Sequence, residues 1–445
     1  MFLNSVLLFI QKKINPFYQK SAILKNIDWL IFFNILSLIL CSTVFTSDSL
    51  GYFAIFNIIL TAVKLMTKPN SKLTLTLAEK YLLLYFLFVL ISVAGSTLLS
   101  LSLKGFCKTI IYLGFYISVV DYLKTNKSKI KYIFLVLAIA CLGEVVVAIK
   151  QNFLSVSEIS GWQDMSRLNP EQVMTRVYGS LKPYNPNLFG GYLISILPTT
   201  LIFTIIPLIY KHYKSALISL SSFIISVIAL ILTGCRGAYI ALFIQVVLLV
   251  IFTYRYLKPY YRRIYLYVVS IMAIFSTFVI LTMSSLRARI FSIFAMRADS
   301  SNSFRFNVYN SCLEMFKDNW LLGIGVGNQN FREIYGLYMK TGYDALSAYN
   351  IYLETAVESG ILALIAFIIF IGINLKKALE YILSKANLTS LYLTIALISV
   401  LGVLIHGFVD TVFFRPQIQF VFWIMMAVIR VLTISRGNEY VRTRS

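Results

Sequence analysis

Apolar residues along the 445-residue chain gather into twelve long runs separated by polar gaps. The runs cover 27–46, 50–66, 80–99, 105–121, 132–149, 188–209, 215–233, 237–254, 264–284, 351–373, 388–409 and 418–434. A helix needs about 20 consecutive apolar residues to cross a bilayer core. The pattern therefore predicts an all-α, polytopic membrane protein with about twelve transmembrane helices. Prolines mostly fall between the runs, but Pro198 and Pro207 lie inside the sixth. They predict a kink or break there, tolerable only where neighbouring groups re-satisfy the freed backbone.

Two gaps are too long to be turns, and they divide the chain. Residues 1–26 form an N-terminal segment, 27–149 hold helices 1–5, and 150–187 make a first long loop. Helices 6–9 fill 188–284, a large loop follows at 285–350, helices 10–12 occupy 351–434, and 435–445 form a tail. In the large loop Phe304, Val308, Cys312 and Met315 recur at helical spacing, which predicts an amphipathic helix. The run Met1–Ile10 is too short to span, and its lysines follow it, unlike the order of a signal peptide. It reads as interfacial.

Composition agrees with this picture. Apolar types make up 59% and charged types 13% of the chain, where soluble domains average about 45–50% and about 25%. A cytosolic enzyme is excluded. With 40 Lys+Arg against 18 Asp+Glu the formal charge is +22, which in a soluble protein would suggest nucleic acid. Here the basic residues sort by gap instead. Clusters such as Lys12–Lys25, Lys64–Lys72, Lys124–Lys131, Arg255–Arg263 and Lys376–Lys385 alternate with gaps holding only Lys104, Arg236 or Arg415. Under the positive-inside rule both termini are cytoplasmic and the two long loops are outside. No nucleic-acid partner is implied.

Polar groups at the edge of a hydrophobic span are functional candidates, because hydrocarbon penalises them unless they are paired. The two histidines, His212 and His406, show neither metal-ligand nor triad spacing, so zinc chemistry and a Ser-His-Asp triad are excluded, and no metal is expected. Of the cysteines, only Cys235 and Cys312 could meet outside, too few for a disulfide framework. The outer side offers Arg176, Arg236 and Arg305, suited to holding phosphate or carboxylate if they converge; each could equally anchor a helix end. Glu354 and Glu358 share one face at the start of span ten, either as acids suited to a helix N-terminus or as partners orienting an arginine. Neighbours this close on one helix flank a substrate poorly, against a glycosidase-type pair. Glu144, deep in span five, needs a partner inside the bundle. His406 and Asp410 are also i,i+4, with Arg415 in the turn that Pro416 stiffens; an Asp410–Arg415 clamp with His406 in the core is the simplest reading. The glycine run LLGIGVGNQNF at 321–331 lacks a strand before it and reads as a tight turn, not a nucleotide site.

The ordered set RVYG…NPNLFGGY, LTGCRGAYIAL, SFRFNVYNSCLEMFKDNWLLGIGVGNQNF and SAYNIYLETAVESG, over about residues 175–375, resembles the O-antigen ligase and polymerase-like membrane protein superfamily. Within it, HGFVDTVFFRPQ and the SAY stretch resemble the cyanobacterial group labelled bicarbonate (inorganic carbon) transporters. The resemblance implies a multi-pass protein of the bacterial inner membrane that transfers or polymerises a glycan carried on undecaprenyl pyrophosphate, at the outer face, without metal or nucleotide cofactor. It implies pyrophosphate or other anion binding by Arg236 and Arg305, and by Arg176 at a similar position before NPN. Arg236 and Arg305 are then expected to line an outward cavity open sideways to lipid. Where ligases carry a histidine motif, this chain reads Ser347-Ala348-Tyr349-Asn350, which leaves Tyr349 and Glu354 as the catalytic candidates. Bicarbonate transport and non-catalytic binding of a lipid anion are the alternatives.

Overall fold

The computed structural model describes residues 2–153 and 176–434. Most of the first long loop and the tail, including Arg436, Arg442 and Arg444, lie outside the described residues. All regular structure described is helical. Helix α1 (Phe2–Lys20) and the short α2 (Ala22–Lys25) precede α3 (Ile27–Cys41), α4 (Ser47–Thr67), α5 (Leu77–Ala94), α6 (Leu99–Thr125) and α7 (Ile130–Phe153). Next come α8 (Pro186–Ile209), α9 (Tyr213–Leu232), α10 (Arg236–Tyr256) and α11 (Pro259–Thr282). The large loop holds α12 (Ser284–Phe291), α13 (Ser300–Asp318) and α14 (Asn328–Tyr335). The last three are α15 (Ile351–Ser384), α16 (Leu388–His406) and α17 (Pro416–Leu432).

Every predicted span coincides with one of these helices, and ten of them are long and apolar enough to cross a membrane. The two shorter apolar helices are α3 and α17. Predicted span one was drawn through residue 46, but α3 stops at Cys41, where Ser42 turns its hydroxyl back onto the Ile39 carbonyl. At about 1.5 Å per residue its fifteen residues reach roughly 22 Å. Predicted span ten is longer than expected and continues to Ser384.

The core runs along α8, α16 and α17, whose residues are buried over most of their length. By contrast α11 buries no side chain at all, and its apolar surface faces outward. Of the expected kink or break, the break does not occur: helix α8 passes through Pro198 and Pro207 without ending. The carbonyl that Pro198 leaves without an in-helix donor is that of Ile194. It accepts from Nε2 of Gln245 at 2.9 Å, and the same amide donates to the Ile398 carbonyl at 3.1 Å. A fully buried glutamine of α10 thus braces α8 against α16.

At the end of the bundle assigned to the cytoplasm, Asn4 and Gln11 fasten α1 to the α4–α5 connection, Gln11 through the carbonyls of Leu65 and Ser71. Lys64, read from sequence as a topological charge, is buried between Asp28 at 2.9 Å and Asp121 at 2.7 Å. Glu79 and Arg430 form a second buried pair at 2.5 Å. These charges are compensated by each other rather than by solvent.

The opposite end carries an unexpected insertion. Gly360 of α15 has φ +79° and ψ 170°, which interrupts the helical hydrogen bonds. The glycine run fills the breach. Ile361 N–H donates to the Trp320 carbonyl, while Ile324 and Gly325 donate to the carbonyls of Val357 and Glu358. Gly323, Gly325 and Gly327 all have positive φ, and a Cβ at Gly323 or Gly360 would collide with the opposing backbone. Ser92 of α5 completes the joint by donating to the Glu358 carbonyl at 2.6 Å and accepting from Gly325 N–H. The run is a turn, as expected, but one wedged into the bundle.

Candidate functional site

The loops at this end enclose a cavity of about 810 Å³. Helices α4, α5 and α6 form one side, and the start of α15 with the α16–α17 connection forms the other. Among the sequence candidates, Tyr349, Glu354, Glu358, Asp410 and Arg415 line it. Arg176, Arg236, Arg305, Asn350 and His406 do not belong to its lining.

Asn350 has a structural task. Its side chain caps α15 by accepting from the N–H groups of Tyr352 and Leu353, and it donates to the Phe408 carbonyl. That cap aims the first two turns of α15 at the cavity. Glu354 accepts from Ala348 N–H at 2.9 Å and Glu358 from Gly327 N–H at 3.0 Å. Among the described residues neither acid forms an ion pair with an arginine, so they hold backbone in place of the expected guanidinium. Tyr349 sits between them and the loop in the left-handed region, φ +51°. Burial above all, then Asp410, raises its phenol above the ordinary value, while Arg305 opposes the shift. At neutral pH this phenol keeps its proton and is suited to donate a hydrogen bond. Where ligases carry histidine, Ser347 instead shares a 2.5 Å hydrogen bond with Thr411.

The arginines form a separate tier behind the cavity. Arg176 donates through Nε to the Thr233 carbonyl at 2.7 Å and through Nη2 to Asn187 at 2.6 Å. Arg236 opens α10 and pairs with Asp299 at 2.8 Å, with further bonds to Ser292. Arg289, missed in the sequence, donates to the Gly234 carbonyl at 2.8 Å. Burial first, then the neighbouring Arg176 and Arg236, lower its guanidinium to about 10; Arg176 and Arg289 grip the adjacent carbonyls of Thr233 and Gly234. The expected convergence of Arg176, Arg236 and Arg305 is therefore not what the structure places together: Arg176 and Arg236 lie with Arg289 and bind acceptors inside the protein. Arg305 stands apart on α13. It bonds to Ser301, lies 3.8 Å from Asp410, and rests 5.7 Å from the centre of the Tyr349 ring. Its buried Nε has no hydrogen-bond partner among the described residues.

The 406–417 cluster departs from the expected clamp. Asp410 accepts from Thr411 and Val412 N–H and faces Arg305; Arg415 lines the cavity instead. His406 is buried as expected, but its Nε2 lies 3.4 Å from Sγ of Cys235. Burial alone would raise that thiol; the imidazole outweighs it and holds the thiol below its ordinary value. At a separation of 171 positions, spacing could not reveal the pair. Cys312 is buried with Val308 and Met315 in the small core under the loop, Phe304 packing against it, so the amphipathic pattern is borne out and Cys312 stays far from any disulfide. Glu144 finds its partner in Ser180, which donates both its backbone N–H, at 2.8 Å, and its hydroxyl.

An all-α, multi-pass membrane protein with a loop-roofed cavity at one end is the class these features define. Residues 221–368, from within α9 to within α15, match the family model described as O-Antigen ligase. That stretch contains Arg236, Arg289, Arg305, Tyr349, Glu354 and Glu358, and makes this part of the chain O-antigen ligase-like. No curated protein matches the chain.

Proposed function

We propose that the protein transfers or polymerises a glycan carried on undecaprenyl pyrophosphate, at the outer face of the inner membrane, with the cavity as the place of transfer. The observation that carries this reading is the cavity itself: two buried carboxylates and a neutral phenol from the stretch of O-antigen ligase likeness face an apolar flank supplied by α4, α5 and α6. In the reaction an acceptor hydroxyl attacks the anomeric carbon, the bond from that carbon to the phosphate oxygen breaks, and the diphosphate leaves with the bonding pair. Glu354 takes the hydroxyl proton. A carboxylate held by one backbone N–H keeps a fixed aim, and general bases contribute about 10²–10⁴-fold. Tyr349 donates to the sugar or leaving oxygen. Arg305, behind Tyr349 and Asp410 and outside the cavity lining, adds fixed positive potential that favours the charge developing on the diphosphate, in the manner of preorganised electrostatic sites. Arg236, Arg176 and Arg289 hold the turn behind it. Glu358, Asn350, His406, Asp410 and Arg415 support the cavity wall.

Gene deletion followed by complementation tests this. Loss of cell-surface polysaccharide, restored by the wild-type chain and not by Glu354→Gln, is the expected result. Unchanged polysaccharide together with reduced inorganic-carbon uptake would overturn it.

A further inference from the structure

The arginines behind the cavity already have acceptors inside the protein. The cations that line it do not share that condition. Lys104 and Lys108 are exposed residues of α6, and Arg415 is an exposed residue on the opposite wall; all three line the cavity, and none has an ion-pair partner among the described residues. Lys104, Lys108 and Tyr112 are four apart in turn and so share one face of α6. Arg415, in the α16–α17 connection, lines the same cavity, and Phe420 just beyond it packs its ring 5.2 Å from that of Tyr112 on the lysine stripe. The two lysines straddle Gly105, against which the backbone of Val326 and Gly327 packs so closely that no Cβ would fit. The first residues of α14, Asn328 and Gln329, follow Gly327 on the same wall, so their helix N-terminus adds positive potential where the lysines stand. Both lysines also occur on the side that the positive-inside pattern otherwise keeps poor in basic residues.

We infer that Lys104, Lys108 and Arg415 form a phosphate-binding subsite on the α6 wall, taking the diphosphate end of a lipid whose chain lies along the apolar flank of α4 and α5. The inference rests on the cavity being the place of glycan transfer. It assigns the grip on the lipid diphosphate to cations outside residues 221–368, and leaves Arg305 to the charge that develops as the bond breaks.

Binding of geranylgeranyl diphosphate to the purified full chain in detergent tests the assignment. Lys104→Gln/Lys108→Gln is expected to weaken binding at least about tenfold, since charge-assisted contacts to phosphate are lost. Arg415→Gln should act in the same direction. Lys124→Gln, on the far end of α6 where the lysine bonds to Thr74, should leave binding unchanged and so controls for net charge. Thermal unfolding of each variant reports that the fold is kept. Geranylgeraniol, which lacks the charge, inorganic pyrophosphate, which lacks the chain, and phosphatidylglycerol, an ordinary anionic lipid, should all compete poorly. Wild-type affinity in the double lysine variant, or equal displacement by any of these three competitors, overturns the subsite. The proposed reaction is judged separately by polysaccharide. Lost binding in the lysine variant with polysaccharide unaffected by gene deletion keeps the subsite and rejects transfer; intact binding with polysaccharide lost on deletion does the reverse.

Discussion

Glu354 and Arg305 carry different loads, and substitutions at each should separate them. Glutamine at 354 still offers a carbonyl oxygen to Ala348 N–H, so Glu354→Gln should preserve the fold and lower the transfer rate by about 100-fold or more in a reconstituted assay. Arg305→Ala removes a guanidinium that makes only a 3.8 Å approach to Asp410 and one bond to Ser301. It should abolish activity while the purified protein keeps its thermal midpoint within a few degrees. A variant with full activity would show that charge develops elsewhere. At this scale the sequence exposes residue types but not their company. Arg236 and Glu354 were visible as polar groups at span edges, whereas Asp299 as the partner of Arg236 was not. Arg289 sits in an amphipathic stretch just beyond span nine and carried a usable signal, a basic residue on the outer side. The Cys235–His406 contact carried none, because only the packing of α10 against α16 creates it.

Helices follow from hydropathy because a bilayer demands long apolar runs with internal hydrogen bonds. That is why α4 to α11 and α15 to α17 were legible. The interruptions were not. Pro198 looked like a break, yet Gln245 supplies the missing donor from another helix. Replacing Gln245 by Leu should therefore leave the buried Ile194 carbonyl without a donor and cost about 1–3 kcal/mol, read as a lower unfolding midpoint. Gly360 looked like part of an ordinary span, yet it opens α15 for the inserted loop. Gly360→Ala should cost at least about 1–3 kcal/mol through its backbone conformation alone, with the collision against the Leu321 carbonyl added. Because Glu358 lies two residues before it, the same variant should also lose activity, measured against a matched change at Gly372, where a Cβ meets nothing.

For the whole molecule, topology is the property most open to test. The loops that build the cavity fall at one end of the bundle and the lysine clusters at the other, so the positive-inside rule predicts that the cavity is outside. Alkaline phosphatase fused after Lys340 should be active and after Lys127 inactive; the reverse pattern would invert the molecule. The buried Lys64 with its two aspartates shows where charge counting misleads, since that lysine contributes nothing to the surface field. The joint between α5 and α15 also sets a schedule for assembly. Ser92 and the Glu358 carbonyl are 266 residues apart. At about 5–20 residues per second of synthesis, α5 waits roughly 13–53 s for the helix that completes it. Through that interval the hydroxyl of Ser92 must be tolerated within an unfinished bundle, so the protein's vulnerable period is its own biogenesis, when an insertion chaperone would have most to shield.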